Sequence, residues 1–123
     1  MKNSLFSWTR FKGSFIYAWA GIWALLKSEQ NLWIMLAIGV AVLFFAWYLD
    51  LTNLEKAILI LVSAAVIAAE ILNTAVEFIF DKFHPIENHE DVKIVKDIMA
   101  GLVLIWSIAA VVVDAIIFWP YLK

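Results

Sequence analysis

Three long stretches of the chain carry almost no charge, and the polar residues between them gather into short clusters. The first stretch, LWIMLAIGVAVLFFAWYL (32–49), is uncharged and ends at Asp50. The second runs from Ala57 to about Phe80 and opens with thirteen uncharged residues, AILILVSAAVIAA (57–69), before Glu70. The third runs from Ile98 to about Trp119, interrupted by Asp114 and closed by Pro120. Each is long enough to cross a bilayer as a helix, which takes about 20 mostly apolar residues. Ahead of them lies SLFSWTRFKGSFIYAWAGIWALLKSE (4–29), where Phe11, Phe15, Ile22 and Leu26 recur at roughly helical spacing among a few basic residues. That period predicts an amphipathic helix lying on a membrane surface. The whole pattern predicts an all-α membrane protein of one domain, 1–123, with a surface helix over about 4–29 and spans over about 32–49, 57–80 and 98–119.

Composition agrees and narrows the class. Of 123 residues, 65% are hydrophobic and 16% charged, too little polar surface for a soluble domain of this size. The absence of cysteine excludes disulfides and thiolate metal sites. A net charge of −2 argues against a nucleic-acid partner. The first 28 residues lack the basic-then-apolar pattern of a cleavable signal peptide. Basic residues set the orientation: Lys2, Arg10, Lys12 and Lys27 precede the first span, Lys56 alone follows it, Lys82, Lys93 and Lys96 lie before the third, and Lys123 ends the chain. The alternation predicts a multi-pass protein with its N-terminus and the 81–97 loop in the cytoplasm.

The second stretch ends in AEILNTAVE (69–77), where an apolar span acquires two acids. Glu70, Asn73, Thr74 and Glu77 stand at i, i+3, i+4 and i+7, so they share one helix face, the carboxylates about 10 Å apart along the axis. An ionised carboxylate facing lipid is costly, so this face must meet protein, metal or water. Hydrogen-bonded helix glue is the plainer use of such a stripe, but intramembrane acids mark functional sites by default. The charged segment FDKFHPIENHEDVKIVKD (80–97) adds five acids and three lysines at the same membrane face, and KSEQN (27–31) adds Glu29 just before the first span. Carboxylates and a lysine converging at one interface suit divalent-metal and phosphate chemistry, since oxygen ligands suit Mg²⁺ and ammonium suits phosphate. No glycine-rich phosphate loop is present, so a nucleotide site would have to be built from side chains on helices.

At these residues the chain resembles the small bacterial integral-membrane lipid kinases, the diacylglycerol kinase and undecaprenol kinase family. AEILNTAVE (69–77) is similar to the family's E-x-x-N-[ST]-A-[IV]-E signature. HEDVKIVKDIMAGLVLI (89–105) resembles its segment built on K-D-x-x-[AS]-[GA], and WTRFKGSFIYAWAG (8–21), followed by Glu29, resembles its N-terminal helix. The resemblance implies an ATP- and Mg²⁺-dependent kinase of a membrane lipid alcohol in the bacterial inner (plasma) membrane, assembled as a homotrimer with sites shared between subunits. It implies Glu70 as general base, Glu29 and Glu77 as carboxylates holding Mg²⁺ against ATP, and Asn73 as the residue that positions the base or the substrate. It implies nucleotide contacts from Arg10, Tyr17, Lys96 and Asp97, and from Glu87 and His89 if one residue is inserted before them. NTAVE (73–77) and EQN (29–31) are nearer to undecaprenol-type members than to diacylglycerol-type ones.

Some positions depart from the family. Asp114 stands in a span usually apolar there, which suggests an Asp snorkelling or bonded near the outer interface. Met99 and Leu102 replace small residues. Two other functions use the same acids: a small proton or ion conductor with Glu70 and Glu77 as relay, and a non-catalytic membrane adaptor of the same fold. The conductor leaves Glu29 and the Lys96–Asp97 pair without a role.

Overall fold

A computed structural model of the chain describes residues 7–83 and 89–123, and for Phe83 and His89 the backbone alone. Four helices follow one another: α1 (Trp8–Ser28), α2 (Gln30–Tyr48), α3 (Asn53–Phe83) and α4 (His89–Leu122). Helices are what these sequences permit in hydrocarbon, because every backbone N–H and C=O must there be satisfied within its own segment. Three of them, α2, α3 and α4, are long and apolar enough to cross a membrane. They run alternately up and down, with α3 packed most extensively on α4 and next on α2.

The turn between α2 and α3 is tightly specified. Asp50 adopts the left-handed conformation at φ 59°, which among non-glycine residues Asp and Asn tolerate best. The Leu51 N–H donates to the Ala46 carbonyl (3.0 Å) and the Asp50 N–H to the Trp47 carbonyl (3.2 Å), a Schellman ending for α2. Helix α3 then opens on a reciprocal capping box: the Glu55 N–H donates to Thr52 Oγ1 (3.1 Å) and the Thr52 N–H to Glu55 Oε1 (2.9 Å). Tyr121, near the end of α4, donates its hydroxyl to the same Glu55 Oε1 at 2.6 Å, and so ties all three long helices together at this end. Ala46, Leu51, Leu59 and Ile117 are buried beside it.

The opposite end differs because the helices differ in length. Helix α2 has 19 residues and α3 has 31, so α3 outruns α2 by about 18 Å at 1.5 Å per residue. Counting from the turn, the start of α2 lies beside about the twentieth residue of α3, near Leu72. The polar stripe therefore begins where α2 ends its cover.

The helices run beyond the expected spans at this end. The expected charged loop over 81–97 is largely helical: α3 continues through Phe83 and α4 already begins at His89. Charge terminates a hydropathy pattern but not a helix, and Glu90 and Asp91 in the first turn of α4 favour its N-terminus through the helix dipole. At the other end of α4, Pro120 sits inside the last turn of the helix. Helix α1 runs from Trp8 to Ser28, is capped by Ser7 and has no buried residue.

Because the clasp at the α2–α3 turn holds three helices through few bonds, its loss should register in stability. Thr52→Ala removes the capping acceptor and should cost about 1 kcal/mol. Tyr121→Phe should lower the thermal midpoint in micelles as well, and the two effects should be less than additive, because both act through Glu55.

Candidate active site

The corner between α1 and α2 is a single residue, Glu29, with extended backbone (φ −120°, ψ 114°). Its N–H closes α1 on the Leu25 carbonyl at 2.8 Å. The Trp33 indole N–H donates back across the corner to the Leu26 carbonyl, and Leu32 is buried just beyond. The Glu29 side chain makes no capping hydrogen bond to α2, which leaves its carboxylate available to the space in front of it.

That space is a cleft of about 750 Å³ between the last two turns of α1 and the projecting part of α3. Gly21, Ala24, Leu25, Ser28 and Glu29 line one side, and Thr74, Glu77, Phe78, Asp81 and Lys82 are among those lining the other. Glu29 from the α1–α2 corner and Glu77 from α3, far apart in the sequence, thus face one cleft. Glu70 sits behind it. Only 6% of Glu70 is exposed, and Thr74, at 7%, donates its hydroxyl to Glu70 Oε2 at 3.4 Å. Glu70 lies within electrostatic reach of both Glu77 and Glu29. Among the described residues these two side chains are the buried polar ones, in a layer so thin that six hydrophobic residues make up its core. The Asn73 Oδ1 is also shielded from solvent and has no hydrogen-bond partner among the described residues, an acceptor one turn from the base position.

The other expected residues are arranged differently. Lys96 and Asp97 take different partners. The Lys96 Nζ lies 2.7 Å from Asp81 Oδ1 on α3, while Asp97 is held by Lys93, one turn earlier on α4, also at 2.7 Å. Asp81 is the residue that sequence reasoning missed, and its signal was its place four residues beyond Glu77 on the same face. Arg10 and Tyr17 line a separate surface cavity of about 600 Å³ on α1, with Trp8, Lys12 and Ile16 among its walls. Along a straight helix Tyr17 is about 6 Å and Arg10 about 16 Å before Gly21, where the cleft wall begins, and neither lines the cleft. Glu87 lies outside the described residues, as does the side chain of His89.

No group of three or more His, Asp and Glu side chains forms a protein-only metal cage among the described residues. Two carboxylates on one cleft are nonetheless a donor set that suits Mg²⁺, which keeps several waters and takes one or two carboxylates plus substrate phosphates.

Comparison with known proteins gives this arrangement its class. The sequence profile of the prokaryotic diacylglycerol kinases matches residues 16–118. The chain is 41% identical over 107 residues to a diacylglycerol kinase of Synechocystis sp., covering 87% of this chain and 61% of that protein. It is 33% identical over 117 residues to the undecaprenol kinase of Bacillus subtilis, covering 92% and 91%. It is also 33% identical over 124 residues to the diacylglycerol kinase of Escherichia coli, covering 98% of each. The chain belongs to the prokaryotic diacylglycerol kinase family, a family of lipid kinases. Arg10 lies before the matched stretch, and the other site residues named above lie within it.

A second cavity, about 220 Å³, lies between α2, α3 and α4 and is lined by Gly39, Val42, Ser63, Ser107 and Asp114, among others. Asp114 faces this cavity instead of snorkelling to an interface, and its Oδ1 is buried without a hydrogen-bond partner among the described residues. An unsatisfied acceptor there costs about 1–3 kcal/mol. Asp114→Leu should therefore raise the thermal midpoint in micelles and leave Mg·ATP binding unchanged; a fall in stability would show that the carboxylate is satisfied in the membrane.

Proposed function

We propose that the protein transfers the γ-phosphoryl group of ATP to the hydroxyl of a membrane lipid alcohol, undecaprenol in preference to diacylglycerol. The observation that carries this reading is the burial of Glu70 with Thr74, directly behind a cleft that presents Glu29 and Glu77. A buried carboxylate at the membrane boundary is placed to meet a hydroxyl that arrives from the lipid side, while the two outer carboxylates meet a nucleotide that arrives from water.

Glu70 accepts the proton of the lipid hydroxyl as the oxygen attacks the γ-phosphorus in line. The bond from γ-phosphorus to the bridging oxygen breaks, ADP leaves, and the lipid carries a phosphate ester. Asn73 orients Glu70 or the hydroxyl. Mg²⁺, when bound between Glu29 and Glu77, neutralises charge on the phosphates. Lys96 supplies an ammonium to the phosphates, and Asp97, Glu87 and His89 contribute to the nucleotide's outer part. Arg10 and Tyr17, on α1 ahead of the cleft wall that begins at Gly21, contribute further nucleotide contacts in the homotrimer that the family resemblance implies. The same reading places α1 on the cytoplasmic surface of the bacterial plasma membrane and the Glu29 cleft at that surface.

The undecaprenol preference rests on NTAVE (73–77) and EQN (29–31). Overall identity does not decide it, because the relatives include kinases named for each lipid. A conductor would need acids through the whole thickness of the layer; apart from Asp114, the acids of the site, Glu29, Glu70, Glu77 and Asp81, gather at one end instead.

Purified protein in micelles, supplied with γ-labelled ATP and Mg²⁺, should label undecaprenol faster than diacylglycerol. Label in neither lipid, with folded protein present, would overturn the kinase reading for these acceptors. Glu70→Gln should lower kcat by about 10²–10⁴-fold and leave Mg·ATP binding intact. Glu77→Gln should instead raise the Mg²⁺ concentration needed for half-maximal rate, and an unchanged Mg²⁺ titration would remove Glu77 from the metal site.

A further inference from the structure

Asp81 has no part in the roles above, yet it stands where the polar stripe, the cleft and α4 meet. It follows Glu70, Thr74 and Glu77 on α3 at steps of four, three and four, which keeps all four residues on one face. It lines the same cleft as Glu29 and Glu77. Its Oδ1 accepts a hydrogen bond from Lys96 Nζ at 2.7 Å, across fifteen residues and from a different helix. Lys96 stands next to Asp97 in sequence, but successive residues on a helix point about 100° apart, and Asp97 is already engaged by Lys93. Asp81, itself part of the cleft wall, is therefore the group that holds the Lys96 ammonium beside that wall.

A lysine on its four-carbon stem has many rotamers, most of which would carry this charge away from the Glu29–Glu77 opening. Fixing it before nucleotide arrives removes that freedom in advance. The pair is also loose enough to be shared. Lys96 is 33% exposed and Asp81 69%, so the bridge is half open to water and shifts an equilibrium by about fivefold at most. An ammonium has three donors, and a phosphate can take one of them while Asp81 keeps another.

We propose that Asp81 is a positioning residue for the nucleotide phosphates: it holds the Lys96 ammonium at the mouth of the Glu29–Glu77 cleft, where the phosphates of ATP enter. This rests on the reading of Lys96 as a phosphate ligand and of the cleft as the nucleotide site. Asp81 acts through Lys96 and touches no reacting atom.

The test uses full-length protein in micelles as wild type, Asp81→Asn, Lys96→Met and the double variant. Mg·ATP affinity is read by displacement of a fluorescent ATP analogue, and KM for ATP and kcat by label transfer to lipid. Asp81→Asn should weaken ATP binding and raise KM for ATP by about three- to fivefold, with kcat and the thermal midpoint unchanged. It should add nothing in the Lys96→Met background, and Asp81→Glu should retain most of the affinity. Additive losses in the double variant, or ATP binding by Asp81→Asn as tight as or tighter than wild type while Lys96→Met loses it, overturn the proposal. Unchanged ATP binding in Lys96→Met alone is a different failure: it removes Lys96 from the phosphates and the role of Asp81 with it.

Discussion

A carboxylate at the depth of Glu70 cannot be left against lipid, where it would cost roughly 3 kcal/mol. Much of the layout answers that one constraint. Helix α2 is short, so its start lies near Leu72 on α3, and the corner at Glu29 brings α1 back against the exposed turns beyond. Thr74 donates to Glu70 from one turn away, which gives the acid a partner on its own helix. The acid is thereby covered by protein on the membrane side, yet it stays one turn from a cleft that opens to water. Covering it completely would prevent chemistry, and exposing it would cost stability. The length difference between α2 and α3 places it between the two.

The two ends of the layer then divide the work. At the α2–α3 turn, the Schellman ending, the capping box and the Tyr121 hydroxyl fix three helices by directional bonds, and Leu59 and Ile117 pack beneath them. Lipid is as apolar as leucine, so packing there draws on close contact and hydrogen bonds more than on water exclusion. At the other end the links are ionic and partly solvated, Lys96 with Asp81 and Lys93 with Asp97. Lys96–Asp81 joins α4 to α3, whereas Lys93–Asp97 lies within α4, and both are open enough to water to be weak. One end is held by directional bonds and the other by exposed charges.

The spans were legible because unbroken apolar runs leave only one physical solution in a bilayer, the helix. The grouping of Glu70, Asn73, Thr74 and Glu77 was legible from spacing alone. Beyond Phe80 the hydropathy signal ends, and the helical continuation to Phe83 and from His89 was hidden by its charges. The threonine and glutamate of TNLE (52–55) carried a readable capping-box signal that hydropathy passes over. The Lys96–Asp81 bridge was illegible for another reason. It joins two helices across a connection, and nothing in the spacing of the charges singles out Asp81 as the partner of Lys96. Asp114 misled because its neighbours say only how deep it lies, whereas the helix phase turns it toward Ser63 and Ser107.

What remains outside one chain is itself informative. Eight large apolar side chains of α1, from Trp8 to Trp23, are exposed, and so is the face of α2 that carries Val40 and Phe44. Lipid can cover such surfaces, but it cannot complete a nucleotide site. Tyr17 stands about one turn and Arg10 about three turns before Gly21, where the wall of the cleft begins, and neither lines it. If copies meet through the exposed aromatic faces, that contact would set what stands beside these two residues. One chain by itself gathers Glu29, Glu70, Glu77 and the Asp81–Lys96 pair at one end of the layer. A chain of 123 residues with so little core of its own would gain stability from such a contact as well as cover for its exposed aromatic side chains.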